Sequence, residues 1–133
     1  MALAAGRNTP ERQVSCLVLP VKAGIRIFEG SLITLASGYA VPGSESVGLT
    51  AAGRAEEYVD NTEGQDGDAT VKVKRGCFRF ENDQNDPVLQ SHVLSNCYIV
   101  DDETVSSSDG SSSRSIAGKV IAVDTYGVWV EIE

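Results

Sequence analysis

Aromatic side chains are scarce in this chain, 6% of 133 residues, and no window long enough for a helix keeps the 3.6-residue apolar period of one with a single buried face. A helical bundle is thereby excluded. The apolar set is dominated by valine and small residues and glycine is frequent, a composition that suits strands and tight turns. No apolar run approaches the roughly 18 residues of a membrane span, and the opening Met1-Ala-Leu-Ala-Ala5 is too short for a signal-peptide core and has no basic residue before it. A soluble protein made in a cytoplasm, with no membrane partner, is the expectation. Positive charge is also short: 11 Lys and Arg against 19 Asp and Glu give a net charge of −8, which repels phosphate backbones and argues against nucleic acid as a partner.

Reactive side chains are few. The three cysteines, Cys16, Cys77 and Cys97, are an odd number without a Cys-x-x-Cys pair, and the later two fall inside apolar strand patterns, so buried free thiols are expected. His92 is the single histidine, and any Ser/His/Asp or Cys/His site would have to be built around it. No Gly-x-Ser-x-Gly motif accompanies it, so it reads as a helix-end or interface residue and no catalytic residue is assigned. Gly43 and Gly48 have the spacing of a phosphate loop, but Leu49 stands where the lysine belongs, which leaves the β/γ-phosphates without a counter-charge. Asp60, Glu63, Asp66 and Asp68 cluster in one polar stretch and Glu81, Asp83 and Asp86 in another; neither has EF-hand spacing, so both read as solvated acidic loops. Neither a cofactor nor a metal is expected.

What the chain does have is alternation. Val128, Val130 and Ile132 alternate with Trp129, Glu131 and Glu133, a strand with one apolar face. With residues 119–123 before it and a turn at 124–127 ending in glycine, this makes a C-terminal hairpin. Tyr126 and Trp129 are candidates for an interface between subunits or for capping the core. Residues 106–115 hold no large apolar side chain and read as a mobile serine-rich loop joining two neighbouring strands. Further strands are read at 14–19, 25–28, 31–35, 38–41, 54–59 and 70–80, with 25–28 and 31–35 paired as a hairpin and 42–53 as loop. Apolar parity changes between Val73 and Phe78, which marks Gly76 as a bulge or sharp bend. Asp86 followed by Pro87 reads as an N-cap and first helical position, with one helical turn over 88–92. Residues 1–13 have no periodicity of their own and are read as an extended N-terminal arm. One β-rich domain over 14–133 follows, all-β, a compact β-barrel or β-tulip-like unit with at most one short helix.

Several blocks together carry a resemblance: Arg7-Asn-Thr-Pro10, Gly38-Tyr-Ala-Val-Pro42, Gly53-Arg-Ala-Glu-Glu-Tyr-Val-Asp-Asn61, Arg75-Gly-Cys-Phe-Arg-Phe80, Tyr98-Ile-Val-Asp-Asp-Glu-Thr-Val105, Arg114-Ser-Ile-Ala-Gly-Lys-Val120 and Gly127-Val-Trp-Val-Glu131. In this order they resemble the small head proteins of Mu-like tailed bacteriophages, a group similar to capsid decoration or cement proteins. Around residues 91–96 the family more often has a Gly-Lys turn, so the chain departs from it there. Some relatives carry a label suggesting a recombinase, which neither the missing phosphate-loop lysine nor the sign of the charge supports.

The resemblance implies a non-enzymatic protein of the virion, made in the host bacterial cytoplasm, that forms homotrimers on the outer surface of the head and bridges major capsid subunits. The acidic charge suits an exterior surface better than one lining packaged DNA. Within the arm, Arg7 and Arg12 offer ionic contacts, Asn8 and Thr9 hydrogen bonds, and Pro10 holds the backbone extended, so these five residues are expected to bind the major capsid protein by adding to a sheet edge. Two alternatives are a head-fibre or host-attachment module using the serine-rich and acidic loops, and, less favoured, a small enzyme, for which the chain offers no convergent polar site.

Overall fold

The computed structural model describes residues 2–133. It is nearly all β, with twelve strands: β1 (Cys16–Pro20), β2 (Ile25–Ile27), β3 (Leu32–Ala36), β4 (Tyr39–Pro42), β5 (Thr50–Ala55), β6 (Val59–Asn61), β7 (Thr70–Lys74), β8 (Gly76–Asn82), β9 (Asn96–Ile99), β10 (Thr104–Ser106), β11 (Ile116–Asp124) and β12 (Gly127–Ile132), and one 3-10 turn, Gln90–His92. The barrel expected from the alternation of apolar residues is present. Strands β10-β8-β12-β11-β9 close on themselves, antiparallel except where β10 runs parallel to β8.

The barrel interior follows directly from period two. Val128, Val130 and Ile132 point inward from β12 and are buried, beside Val120, Ile99, Cys97, Val105 and Phe80 from the other strands. The C-terminal hairpin has the expected partners, Val123 opposite Val128 and Asp124 opposite Gly127. Gly127 takes φ +152, a value that a β-carbon disfavours, and a β-carbon there would collide with the Phe80 carbonyl of β8.

The first half of the chain forms a five-stranded antiparallel sheet in the order β1-β7-β5-β3-β4. Its two ends curl toward each other, since Val21 just after β1 bridges Ala40 of β4. Its core is a separate cluster that includes Val21, Ile27, Ile33, Ala52, Val71 and Val73. Strand β3 joins the two cores because successive side chains point to opposite faces: Leu32 enters the barrel cluster and Ile33 the sheet cluster, both fully buried. The backbone crosses between them at Gly76, with φ +155, directly after β7 ends at Lys74, so the parity change in the sequence is a bend from one sheet into the other.

Four expectations are corrected here. Residues 25–28 do not pair with 31–35; β2 pairs with β6, and β3 with β4 and β5. The β2–β6 ribbon is held by the buried Asn61, whose amide donates to the carbonyls of Val21, Lys22 and Gln65 at 3.0–3.2 Å, and no local pattern announces that long-range partner. The stretch 42–53 is not all loop, because β5 begins at Thr50, while 56–58 separates β5 from β6. Asp86 does not cap a helix over 88–92. The turn starts after Leu89, whose N–H donates to Nδ1 of His92 at 2.8 Å, while Val88 is buried in the barrel core, its backbone held by the Asn82 side chain. Finally, Cys97 alone is buried; Cys16 and Cys77 are exposed free thiols. Cys77 lies on the outward parity of β8, between inward Gly76 and Phe78 partners of β12.

Candidate interaction surfaces

The arm residues Arg7, Asn8, Thr9, Pro10 and Arg12 all lie in a segment, 2–14, that is exposed along its whole length and has neither helix nor strand. Among the described residues, no hydrogen bond or ion pair ties any of the five to the body. The first attachment is at Ser15, whose carbonyl accepts from the Arg75 N–H at 2.8 Å.

Tyr126 and Trp129 do not serve the core. Trp129 sits on the outward parity of β12, opposite Arg79 of β8. Its indole N–H donates to Asp124 Oδ2 at 3.1 Å, and the Asp124 Oδ1 accepts from the backbone of Tyr126 at 2.8 Å and Gly127 at 3.1 Å. These bonds, with that from Trp129 the strongest, hold the Asp124 carboxyl below its ordinary value. The Arg79 guanidinium lies 5.5 Å from the Tyr126 ring and 5.7 Å from the Trp129 ring, so the cation sits between two π faces on the outside of the barrel. Tyr126 is 72% exposed. Arginine with tyrosine and tryptophan, fixed in place and open to solvent, is the composition of an interface anchor.

A second aromatic pair was not legible in the sequence. Phe28 and Tyr58 pack at 5.7 Å beside the β2–β6 ribbon, both more than half exposed. They are thirty residues apart, and only the pairing of β2 with β6 brings them together.

The serine-rich segment is corrected in two respects. Strands β10 and β11, which it connects, are not neighbours; β9 lies between them. It is also fastened to the body. Ser106 and Ser115 are buried, and the Asp86 carboxylate accepts from the hydroxyls of Ser107 and Ser108 and from Arg114 Nη1 at 3.1 Å. Arg114 reaches further, from its Nε to Glu45 at 2.5 Å and from Nη1 to Ser106 Oγ at 3.1 Å. The serine hydroxyls, more than the guanidinium, hold Asp86 below the usual carboxylate range. Ser115 Oγ donates to the Ser46 carbonyl and accepts from the Leu49 N–H, so the glycine-spaced stretch at 43–49 is a strap across the barrel.

In the acidic stretch Asp60 and Asp68 close local turns and Asp66 ties the stretch to the segment after β1. Asp60 accepts from Thr62, Asp66 from the Ala23 N–H and Asp68 from the Gln65 N–H. Among the described residues, no three His, Cys, Asp or Glu side chains converge as a metal site would require. Burial pushes the Cys97 thiol up to about 12 and raises that of Cys77, where Glu131 adds to it.

An open cleft of about 520 Å³ lies where the arm leaves the body, between the start of β1 and the end of β12. Val14, Arg75, Glu131, Ile132 and Glu133 line it. The Arg75 Nε itself is buried without a hydrogen-bond partner. No family model, curated protein or solved structure matches the chain.

Proposed function

We propose that this chain is a decoration protein of a tailed-phage head, which binds the outer capsid surface as a homotrimer and bridges major capsid subunits without catalysis. The observation that carries the reading is the division of the chain into a closed β body and an exposed arm with no hydrogen bond to it. A body with two buried cores and a strongly acidic surface supplies a durable exterior knob. The arm supplies reach, and an extended segment that adds to a neighbour's sheet edge gains main-chain bonds along its length. The resemblance of the sequence blocks to Mu-like head proteins supports the same assignment. Arg7, Asn8, Thr9, Pro10 and Arg12 contact the major capsid protein, and the Arg79, Tyr126 and Trp129 cluster meets a neighbouring copy.

Each arm must be ordered on binding at a cost of roughly 1–2 kcal/mol per residue. A single copy therefore binds weakly, and three arms presented together bind firmly. The test is to mix the protein with undecorated heads, with and without residues 1–13. Retention of the full chain and loss of the truncated one are expected, with trimers visible at quasi-three-fold positions on the outer surface. Normal retention of the truncated chain, or density inside the shell, would overturn the reading. Virions lacking the protein should be fragile; intact heads that adsorb poorly would point to host attachment.

A further inference from the structure

We infer that the open edge of β1 pairs with the β1 edge of a second copy of this chain, antiparallel about a two-fold axis at Leu17, so that the sheet runs on from one subunit into the next. β1 is the terminal strand of its sheet, and the hydrogen bonds at its two ends show which of its groups are free. Arg75 donates to the Ser15 carbonyl at 2.8 Å and Val21 to the Ala69 carbonyl at 2.9 Å, so the odd-numbered residues bond on the β7 side. In an antiparallel ladder these alternate with residues whose N–H and C=O point the other way, here Cys16, Val18 and Pro20. Lys22, of the same parity, donates to Ala40 of β4 at 3.1 Å, which closes the edge at that end. Among the described residues, no second strand pairs with Cys16 or Val18.

An open edge is a template for another strand, and folded proteins blunt it with charge, proline or a bulge. Residues 16–18 have none of these. They read Cys-Leu-Val, and their register with β7 is unbroken from Cys16 to Pro20. Their outer face is apolar as well: Val18 is 58% exposed and Cys16 is an exposed thiol, whereas Leu19, of the opposite parity, packs on the sheet core.

The occupant is a second copy because the open stretch is its own complement. With Leu17 on the axis, Cys16 of each subunit lies opposite Val18 of the other. The two pairs exchange about four main-chain hydrogen bonds, and the Cys16 and Val18 side chains cover each other on the outer face. Pro20 has no N–H to donate and the chain bends at Val14 and Ser15, which confines the ladder to this stretch and fixes its register. The arm of a neighbour fits less well. Arg7 and Arg12 against Glu11 give it one net positive charge, and Lys72 and Lys74 stand on β7 opposite Val18 and Cys16, where they repel it. In the two-fold pair the lysine rows of the two copies are three strand spacings, about 14 Å, apart, beyond the screening length of about 8 Å. A ladder this short buries well under the roughly 1,200 Å² of a stable interface, so it forms where copies are concentrated, as on a shared surface. It uses none of Arg79, Tyr126 and Trp129, and it does not rest on the decoration reading.

In the test, one protein carries Cys77→Ser and keeps Cys16, and its partner carries Cys16→Ser, Val18→Cys and Cys77→Ser; Cys97 is buried and takes no part. The two are mixed at millimolar concentration under mild oxidation, and each linking rate is divided by the rate of the same thiols with a small disulfide reagent. A disulfide between the two proteins is expected to form about tenfold or more faster than with a control partner that carries Thr125→Cys, in the exposed turn between β11 and β12, in place of Val18→Cys. Adding Val18→Pro to the first protein removes the outward N–H and spares the β7 ladder, and it should bring linking down to the control rate. Equal rates for the two partners overturn the inference and leave the edge to a different protein. Undiminished linking by a folded Val18→Pro chain overturns it too; should that chain fail to fold, the comparison of the two partners decides alone. Failure to bind heads would count against decoration and leave a fast link standing; equal linking rates would do the reverse.

Discussion

The arm and the serine-rich segment are both polar stretches too poor in large apolar residues to build a core, and the molecule treats them in opposite ways. Residues 2–14 reach solvent without a bond to the body. Residues 106–115 begin and end on buried serines and wrap an ion pair, Asp86 with Arg114, that also engages Glu45. Their difference lies outside both segments. The loop after β8 presents the Asp86 carboxylate to the serine hydroxyls and Glu45 meets Arg114, and a polar segment is fastened wherever a fixed partner satisfies its donors. Among the described residues, no such partner faces the arm within one subunit.

Removing that fixed partner is the largest test. Asp86→Ala should cost roughly 1–3 kcal/mol, because it strips the acceptor from two serines, one backbone N–H and Arg114. A melting temperature lower by several degrees is expected, with faster amide exchange across 106–115. No change in either would put the serine-rich segment in the same class as the arm.

Acid should do the same more gently. The Asp86 carboxyl is held below its usual value in the folded protein, so its contribution is present above the unfolded value of about 3.9 and fades as pH falls through the lower, native one. Melting curves of the wild type and of Asp86→Ala should therefore converge below about pH 4 and stay apart at neutral pH. A gap that is constant with pH would show that the carboxylate charge does not matter.

Trimming residues 109–113 while keeping Ser106, Ser107, Ser108 and Arg114 should shift stability by less than about 1 kcal/mol, since these five residues add little burial and loop closure varies slowly with length. A drop as large as that of Asp86→Ala would move the fastening from the ion pair to the loop tip. The smallest effect belongs to the arm: deleting residues 1–13 from the free protein at low concentration should leave the melting temperature unchanged, as thermal unfolding monitored by circular dichroism would register.

Much of the fold could be read from local pattern. The C-terminal hairpin, the inward faces of β12 and β7 and the bend at Gly76 all follow from residues within a few positions of one another. The exposed arginine–aromatic cluster was only half legible. Tyr126 and Trp129 stood out by type, yet Arg79, which lies between them, is some fifty residues away and comes to them through the β8–β12 register. Nothing near Arg75 in the sequence marks its Nε, which the fold buries without a hydrogen-bond partner.

Period-two alternation and turn chemistry made this chain strands and hairpins without reference to anything distant, because a strand's faces and a turn's φ are set by adjacent residues. Which strands pair was decided elsewhere. That β2 takes β6 and that β10 closes the barrel beside β8 depend on the burial of Asn61 and Val105. Likewise Asp86 serves a loop twenty residues on in place of its own helix. Burial and hydrogen bonding are satisfied in space, between groups far apart along the chain, so they belong to the tertiary structure alone.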